Sequence, residues 1–463
     1  MANNFDWLMG LSAQSVVAPA GHGKTEMLAR AAAQGKQTLI LTHTHAGVHA
    51  ISARARRLGV AKDSVTIDTI ASWASRYAYA FPKLAGNPPR NPKGAEWNQV
   101  YQGALNVLSS PTTHRIVQAS YERIFIDEYQ DCEGHQHAIA VALARILPTV
   151  IFGDPMQGIF EFVDTKIGWG ERVIPDFPVA AELTEPHRWS GSNPTLGQWI
   201  ADTRTRLLSG HPIDLREAPI TYLPVENAFD MGLFFDGFDD REGPTAAIHC
   251  RRKICDGLAR ASRGAFQAIE EIAAARLIDF AMQWDAAQFG RQKAEALWSL
   301  LGDTMARNLA QAIPPDNLYE FDARRQAAWD VLVATGSAQS GGDVIAHERG
   351  HPLARTFRGE LLNDAKRALI ELSYGRNESL VQACQHARQR LSHTGRSPSK
   401  RVVSTPLLLK GLEFDHVLIP DAAHFLTERF ACAKLFYVAI SRARHSLTIA
   451  SSNPVLHFPK PML

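Results

Sequence analysis

The chain has 463 residues, 45% of them hydrophobic and 21% charged, with a formal net charge of +2. Such a length is too great for one core and suits two to four domains, the composition is that of an ordinary globular protein, and no apolar run is long enough to span a membrane. The near-neutral charge neither signals nor excludes nucleic acid, so any path for a polyanion has to be a local patch. The five cysteines, Cys132, Cys250, Cys255, Cys384 and Cys432, are odd in number and scattered. They fit neither a disulfide framework nor CxxC metal spacing. The opening MANNFDWLMGLSAQ lacks the basic and apolar parts of a signal peptide, and a cytoplasmic location is expected.

Taken in chain order, SVVAPA reads as a short buried strand and TEMLARAAAQ as a helix. Between them APAGHGKT fits the P-loop pattern, with Ala18 in the first glycine position. Gly21 and Gly23 allow a tight turn whose N–H groups face phosphate oxygens, and the helix adds its positive end. The candidate nucleotide-binding run is therefore Ala20, Gly21, His22, Gly23, Lys24, Thr25 and Glu26. Lys24 would reach the β- and γ-phosphates of ATP, and the Thr25 hydroxyl would bind Mg2+. Next comes YERIFIDEYQDC, where the apolar strand RIFI ends at Asp127 and Glu128. Asp127 is the candidate metal carboxylate, and Glu128 the candidate base for the attacking water. A third strand, in PTVIFGDPMQGIF, ends at Asp154 and Gln157, where an amide could sense the γ-phosphate.

These stretches resemble motifs I, II and III of the UvrD/Rep-type superfamily 1 helicases. TLILTHTHAG and VTIDTIASWA occupy the places of motifs Ia and Ib. LTEPHRWS is similar to motif IV, STPLLLKGLEFDHVLIP to motif V and LFYVAISRARHSLTI to motif VI. The resemblance implies an α/β fold with two RecA-like P-loop motor domains, 1A and 2A. It also implies that Arg188 and Arg442 neutralise charge on the γ-phosphate, that His187 stacks on adenine, and that Gly411 and Glu413 lie near the nucleotide. His43, Phe162 and Thr405 occupy family positions that contact DNA. The implied activity is an ATPase stimulated by single-stranded DNA that translocates 3′ to 5′ and acts on single strands or duplex ends.

Several positions depart from the family. Val163 replaces an arginine, Leu407 and Asp68 replace histidines, and His43 replaces a stacking phenylalanine. The glutamine motif upstream of the P-loop is missing, Gln14 being too close to it. The DNA-facing residues thus diverge more than those facing ATP. That favours, as the alternative, an ATP-operated switch or scaffold with little unwinding.

The motifs place domain 1A at 1–75 and 112–205, with a small 1B insertion at 76–111. Domain 2A is expected at 206–255 and 399–463, around a reduced helical 2B-like insertion at 256–398. Within that insertion AFQAIEEIAAARLIDFAMQWDAAQ, KAEALWSLLGDTMARNLAQAI and LLNDAKRALIELSYG carry apolar residues at helical spacing. SHTGRSPSKR reads as a basic hinge. Small size and reduced inserts are similar to the helicase-like subunit of the Gabija anti-phage system, which implies an OLD-family nuclease as partner.

Overall fold

The computed structural model describes residues 6–35, 37–160, 167–217, 219–235, 241–263, 265–269, 273–307, 317–384, 386 and 400–463. Phe162, Val163 and most of the expected basic hinge lie outside the described residues. Two compact units are formed. The first holds residues 1–219, 426–445 and 455–463, and the second holds 220–425 and 446–454. Among the described residues no helix is long and apolar enough to cross a membrane.

The first unit is built on six strands: β1 (Gln14–Val17), β2 (Thr38–Thr42), β3 (Val65–Thr69), β4 (Arg123–Ile126), β5 (Thr149–Gly153) and β6 (Val179–Glu182). They lie in the order β3-β2-β4-β5-β1-β6, and every pairing is parallel. Strands β2 and β5 are buried at every residue, the expected state of a parallel sheet covered on both faces. The pleat sorts the side chains. Leu39, Leu41, Ile124, Ile126 and Ile151 join one core with Trp73, Tyr77, Val100 and Leu143. Ile40, Phe125, Val150 and Phe152 join the other, with Leu28, Ala31 and Ile51. Helices Ile70–Ala80 and Trp97–Leu108, which cover much of the expected 1B segment, thus share a core with the sheet.

Because the strands are parallel, all their C-terminal ends open on one edge. Val17 of β1 pairs with Gly153 of β5, and Ile126 of β4 with Ile151. The three segments singled out in the sequence therefore leave the sheet side by side. The later segment of the unit brings helix Cys432–Ile440 against the turn Pro155–Gln157 and against helix Pro194–Ser209.

The second unit carries another six-stranded sheet: β7 (Thr221–Pro224), β8 (Thr245–Ile248), β9 (Gln267–Ala268), β10 (Arg401–Ser404), β11 (Phe414–Ile419) and β12 (Ala443–Ser451, of which 446–451 lie in this unit), in the order β9-β10-β8-β11-β12-β7. The β9/β10, β10/β8, β11/β8 and β12/β7 pairings are parallel. Two such sheets agree with two RecA-like α/β domains. Helices Ala273–Ala286, Gly290–Thr304, Leu318–Thr335, Ala338–Gly350 and Gly359–Ser373 pack around Leu277, Trp284, Leu297, Leu332 and Leu362.

Two details differ from the helical reading. Gln267–Ala268 is strand, because Phe266 is drawn into the core beside Phe234 and the Ala268 N–H donates to Phe357 O at 3.0 Å. Helix Gly290–Thr304 stops short of the expected run, and Met305–Arg307 pairs antiparallel with Ala354–Thr356.

Phe152 meets Phe125 edge to face with centroids 5.7 Å apart, both fully buried. Phe152→Ala is expected to destabilise the first unit by about 3–5 kcal/mol, read as a lower denaturant midpoint for its unfolding transition.

Candidate functional site

The turn after β1 is shaped by its glycines. Gly21 and Gly23 have φ of +75° and +83°, in the left-handed region. A Cβ on Gly21 would lie 2.6 Å from the Trp189 ring, and one on Gly23 would lie 3.1 Å from His187. The motif IV segment therefore sits directly on the P-loop, and the Arg188 N–H donates to Gly21 O at 2.9 Å. Helix Lys24–Gln34 starts at Lys24, so its N-terminal end faces the same edge. The His22 ring is buried and contacts Ala20 O through Nδ1 at 2.9 Å; burial lowers its pKa.

Lys24 binds both acids of the β4 edge. Its Nζ is 2.8 Å from Asp127 Oδ1 and also contacts Glu128 Oε1. Burial alone would lower the Lys24 ammonium, but the two carboxylates outweigh it and its pKa is raised. Burial likewise pushes the Asp127 carboxyl up, against the pull of Lys24. The Asp127 carboxylate and the Thr25 hydroxyl, on the second residue of the helix, are the hard oxygen donors that Mg2+ would take. The donor set fits Mg2+ shared with phosphate oxygens. Among the described residues no group of three or more His, Cys, Asp or Glu side chains could hold a metal without them.

Glu128 itself has φ +54°, unusual for a residue with a side chain. Its N–H donates to Asp127 Oδ1 at 2.9 Å, and Gln130 Nε2 donates to its Oε2 at 2.5 Å. The Gln130 amide oxygen in turn accepts from the Asp154 N–H at 3.1 Å, joining the β4 and β5 edges.

Gln157 lies in this same cluster. Its Nε2 donates to Asp154 Oδ2 at 3.2 Å, and its Oε1 is 3.5 Å from Arg442 Nη2. Arg442 is 2% exposed, with Nε donating to Val438 O at 2.9 Å. Arg188 Nη1 donates to Ser441 O at 2.6 Å, and Trp189 Nε1 to Ala443 O at 2.6 Å. One turn back, Tyr437 Oη accepts from the P-loop Ala20 N–H at 3.0 Å. Burial pushes the Tyr437 phenol well above its usual range, so it is neutral and can serve as that acceptor.

The first unit thus brings together Ala20, Gly21, His22, Gly23, Lys24, Asp127, Glu128, Gln157, His187, Arg188 and Arg442. Glu26 is turned to ion pairs with Arg30 and Arg54, each at 2.7 Å. His43 Nε2 lies 3.3 Å from Cys132 Sγ, just beyond the end of β2. Asp68 is paired with Arg76. Thr405, Gly411 and Glu413 lie in the second unit, where Gly411 has φ +84°. Near the strand end before Thr405, the His249 ring contacts His424 Nδ1 at 2.8 Å, and burial with His424 pushes the His249 imidazole down to about 3.

Sequence reading missed three parts of this cluster: Gln130, Tyr437, and Arg204, whose Nη2 donates to Asp154 Oδ1 at 3.0 Å. Gln130 stands in the quoted acidic motif and Tyr437 in the LFYVAI run, so both were within reach of a reader looking for polar residues inside apolar ones. Arg204 carries no such signal.

Residues 91–178 match the UvrD/REP helicase N-terminal domain family. Among solved structures the chain is similar to the Pif1 helicase from Candida albicans, at 12% identity over 97% of this chain and 92% of that chain, with a TM-score of 0.41. It is also similar to Arterivirus nonstructural protein 10 (helicase) in complex with DNA, at 12% identity over 51% of this chain and 48% of that chain, with a TM-score of 0.27. None of the curated proteins compared matches the chain. The domain match supports a superfamily 1 helicase, and with it a nucleic-acid helicase or translocase that hydrolyses ATP.

The Ala20–Tyr437 bond is open to a direct test. Tyr437→Phe keeps the packing and leaves a buried N–H without its acceptor. It is expected to cost about 1–3 kcal/mol, measured by chemical denaturation.

Proposed function

We propose that the chain is a Mg2+-using, ATP-driven translocase on single-stranded DNA, moving 3′ to 5′ and acting on single strands or duplex ends. One observation carries this reading: Lys24, Asp127, Glu128 and Gln157, from the ends of three parallel strands, meet at one sheet edge with Arg442 beside them. That is the set a phosphoryl transfer to water needs, with cations for the phosphates, a metal carboxylate, a base and a γ-phosphate sensor.

In this reading Lys24 moves to the β- and γ-phosphate oxygens of ATP, and Glu128 Oε1 is released. Glu128 then accepts a proton from the attacking water, oriented by the hydrogen bond that Gln130 gives to its other oxygen. Mg2+ held by Thr25 and Asp127 would neutralise phosphate charge. Gln157 and Arg442 sense the γ-phosphate together, and Arg188, fixed to the backbone of the same segment as Arg442, adds a second positive charge. His187, whose ring lies against Gly23, is assigned to stack on the adenine. Gly411 and Glu413 are assigned to the nucleotide, and Thr405, His43 and Phe162 to the DNA strand, by their motif positions. The narrower likeness to Gabija rests on size and reduced inserts, and the translocase reading needs no nuclease partner.

The test is steady-state ATP hydrolysis with and without single-stranded DNA. The wild type is expected to turn over and to be stimulated by DNA. Glu128→Gln is expected to bind ATP normally and to lose about 10²–10⁴-fold in kcat. Normal turnover by Glu128→Gln would remove the base assignment. Turnover indifferent to DNA would favour the ATP-operated switch.

A further inference from the structure

We propose that Arg204 is a positioning residue for ATP hydrolysis, fixing Asp154 so that the Gln157 amide presents its oxygen to Arg442. The inference rests on the hydrolysis reading above.

Arg204 stands on helix Pro194–Ser209 and is 6% exposed. Its Nη2 and Nε lie 3.0 and 3.3 Å from Asp154 Oδ1, and its Nη1 donates to Glu182 Oε1 at 2.7 Å. Asp154 follows β5 and Glu182 ends β6, the two strands on either side of β1. The guanidinium therefore ties together both neighbours of the strand that leads into the P-loop. Its planar fork sets direction as well as charge, which a lysine cannot do.

The consequence reaches Gln157 through the other carboxylate oxygen. An amide can be turned end for end, exchanging its donor and acceptor. Asp154 Oδ2 is an acceptor only and demands the Nε2 end, at 3.2 Å. The Oε1 end is then left toward Arg442. Orientation of the sensor follows from a carboxylate held in one place, and Arg204 is the residue that holds it.

Packing alone does not call for an arginine here. Leu196, Ile200 and Leu207 already bury the same helix. A buried ion pair adds little stability over an apolar residue of similar volume, so its use lies in fixing one arrangement.

The experiment measures kcat and KM for ATP in the wild type, Gln157→Ala, Arg204→Met, Arg204→Lys and the Arg204→Met/Gln157→Ala double variant. Folding is followed by circular dichroism. Arg204→Met is expected to lower kcat about tenfold or more with KM within about twofold, and Arg204→Lys to recover only part of the loss. In the Gln157→Ala background Arg204→Met is expected to change kcat by less than about twofold, since the group it positions is gone. If Arg204→Met does not fold, Arg204→Lys replaces it in the cycle under the same criteria. Wild-type kcat in a folded Arg204 variant, or a loss that multiplies with that of Gln157→Ala, overturns the proposal. A wild type without ATPase activity overturns the hydrolysis reading and this one with it, whereas an active wild type with an unaffected Arg204 variant overturns this one alone.

Discussion

An ammonium buried between two carboxylates is the interaction on which the first unit's functional edge depends. Taking Lys24 and Asp127 largely out of water is costly unless each finds partners for its remaining valences, while the Glu128 side chain stays 33% exposed. Lys24 takes both acids, Glu128 also takes Gln130, and Gln130 passes the chain of bonds to Asp154. Asp127, Glu128, Gln130 and Asp154 lie just beyond the ends of parallel strands, and Lys24 opens the helix that follows β1. A sheet with antiparallel neighbours would scatter these groups over two edges, so the strand direction itself is part of the chemistry. The continuous apolar runs of β2, β4 and β5 suit that direction, because successive residues bury a different core on each face.

The same edge is closed by segments far away in sequence. Trp189 fills the space over Gly21, and Tyr437 accepts the hydrogen bond of Ala20. The P-loop's shape is therefore set by residues that follow it by more than 160 and more than 400 positions. A glycine at 21 is needed twice over, for its positive φ and for the indole ring against it. Contacts of this kind make the loop answer to any displacement of the motif IV and motif VI segments, which a nucleotide-operated motor requires of its phosphate site.

How much of this was legible in the sequence depended on whether a residue's partner lay in its own motif. RIFI and TVIFG could be read as strands because short apolar runs ended at turn residues or charges, and they are β4 and β5. Lys24, Asp127 and Glu128 could be named because the chemistry of a phosphate site prescribes them at strand ends. Arg204 could not. In PTLGQWIADTRTRLLS it is one of two arginines two residues apart, and only the fold turns it inward to Asp154 while Arg206 reaches Glu217. Gln267–Ala268 was misread as helix for a related reason: alternation over so few residues has no period, and its place as a strand beside β10 is a tertiary choice.

Glu128 shows where the fold concentrates strain. A side-chain-bearing residue in the left-handed region costs on the order of 1–2 kcal/mol, and no sequence signal such as glycine relieves it. Its neighbours hold the turn from both sides. Asp127 Oδ1 accepts the Glu128 N–H, while Tyr129 is buried and its hydroxyl contacts His137 Nδ1 at 2.7 Å. With that nitrogen accepting, the other ring nitrogen carries the proton and donates to Asp176 at 3.0 Å. A buried tyrosine anchored through a histidine to a carboxylate thus fixes the backbone one residue beyond the strained position. An extended conformation at Glu128 would carry its carboxylate along the line of β4, away from Lys24 and Gln130. The strained turn instead brings it back over the strand ends, where Lys24 can reach it.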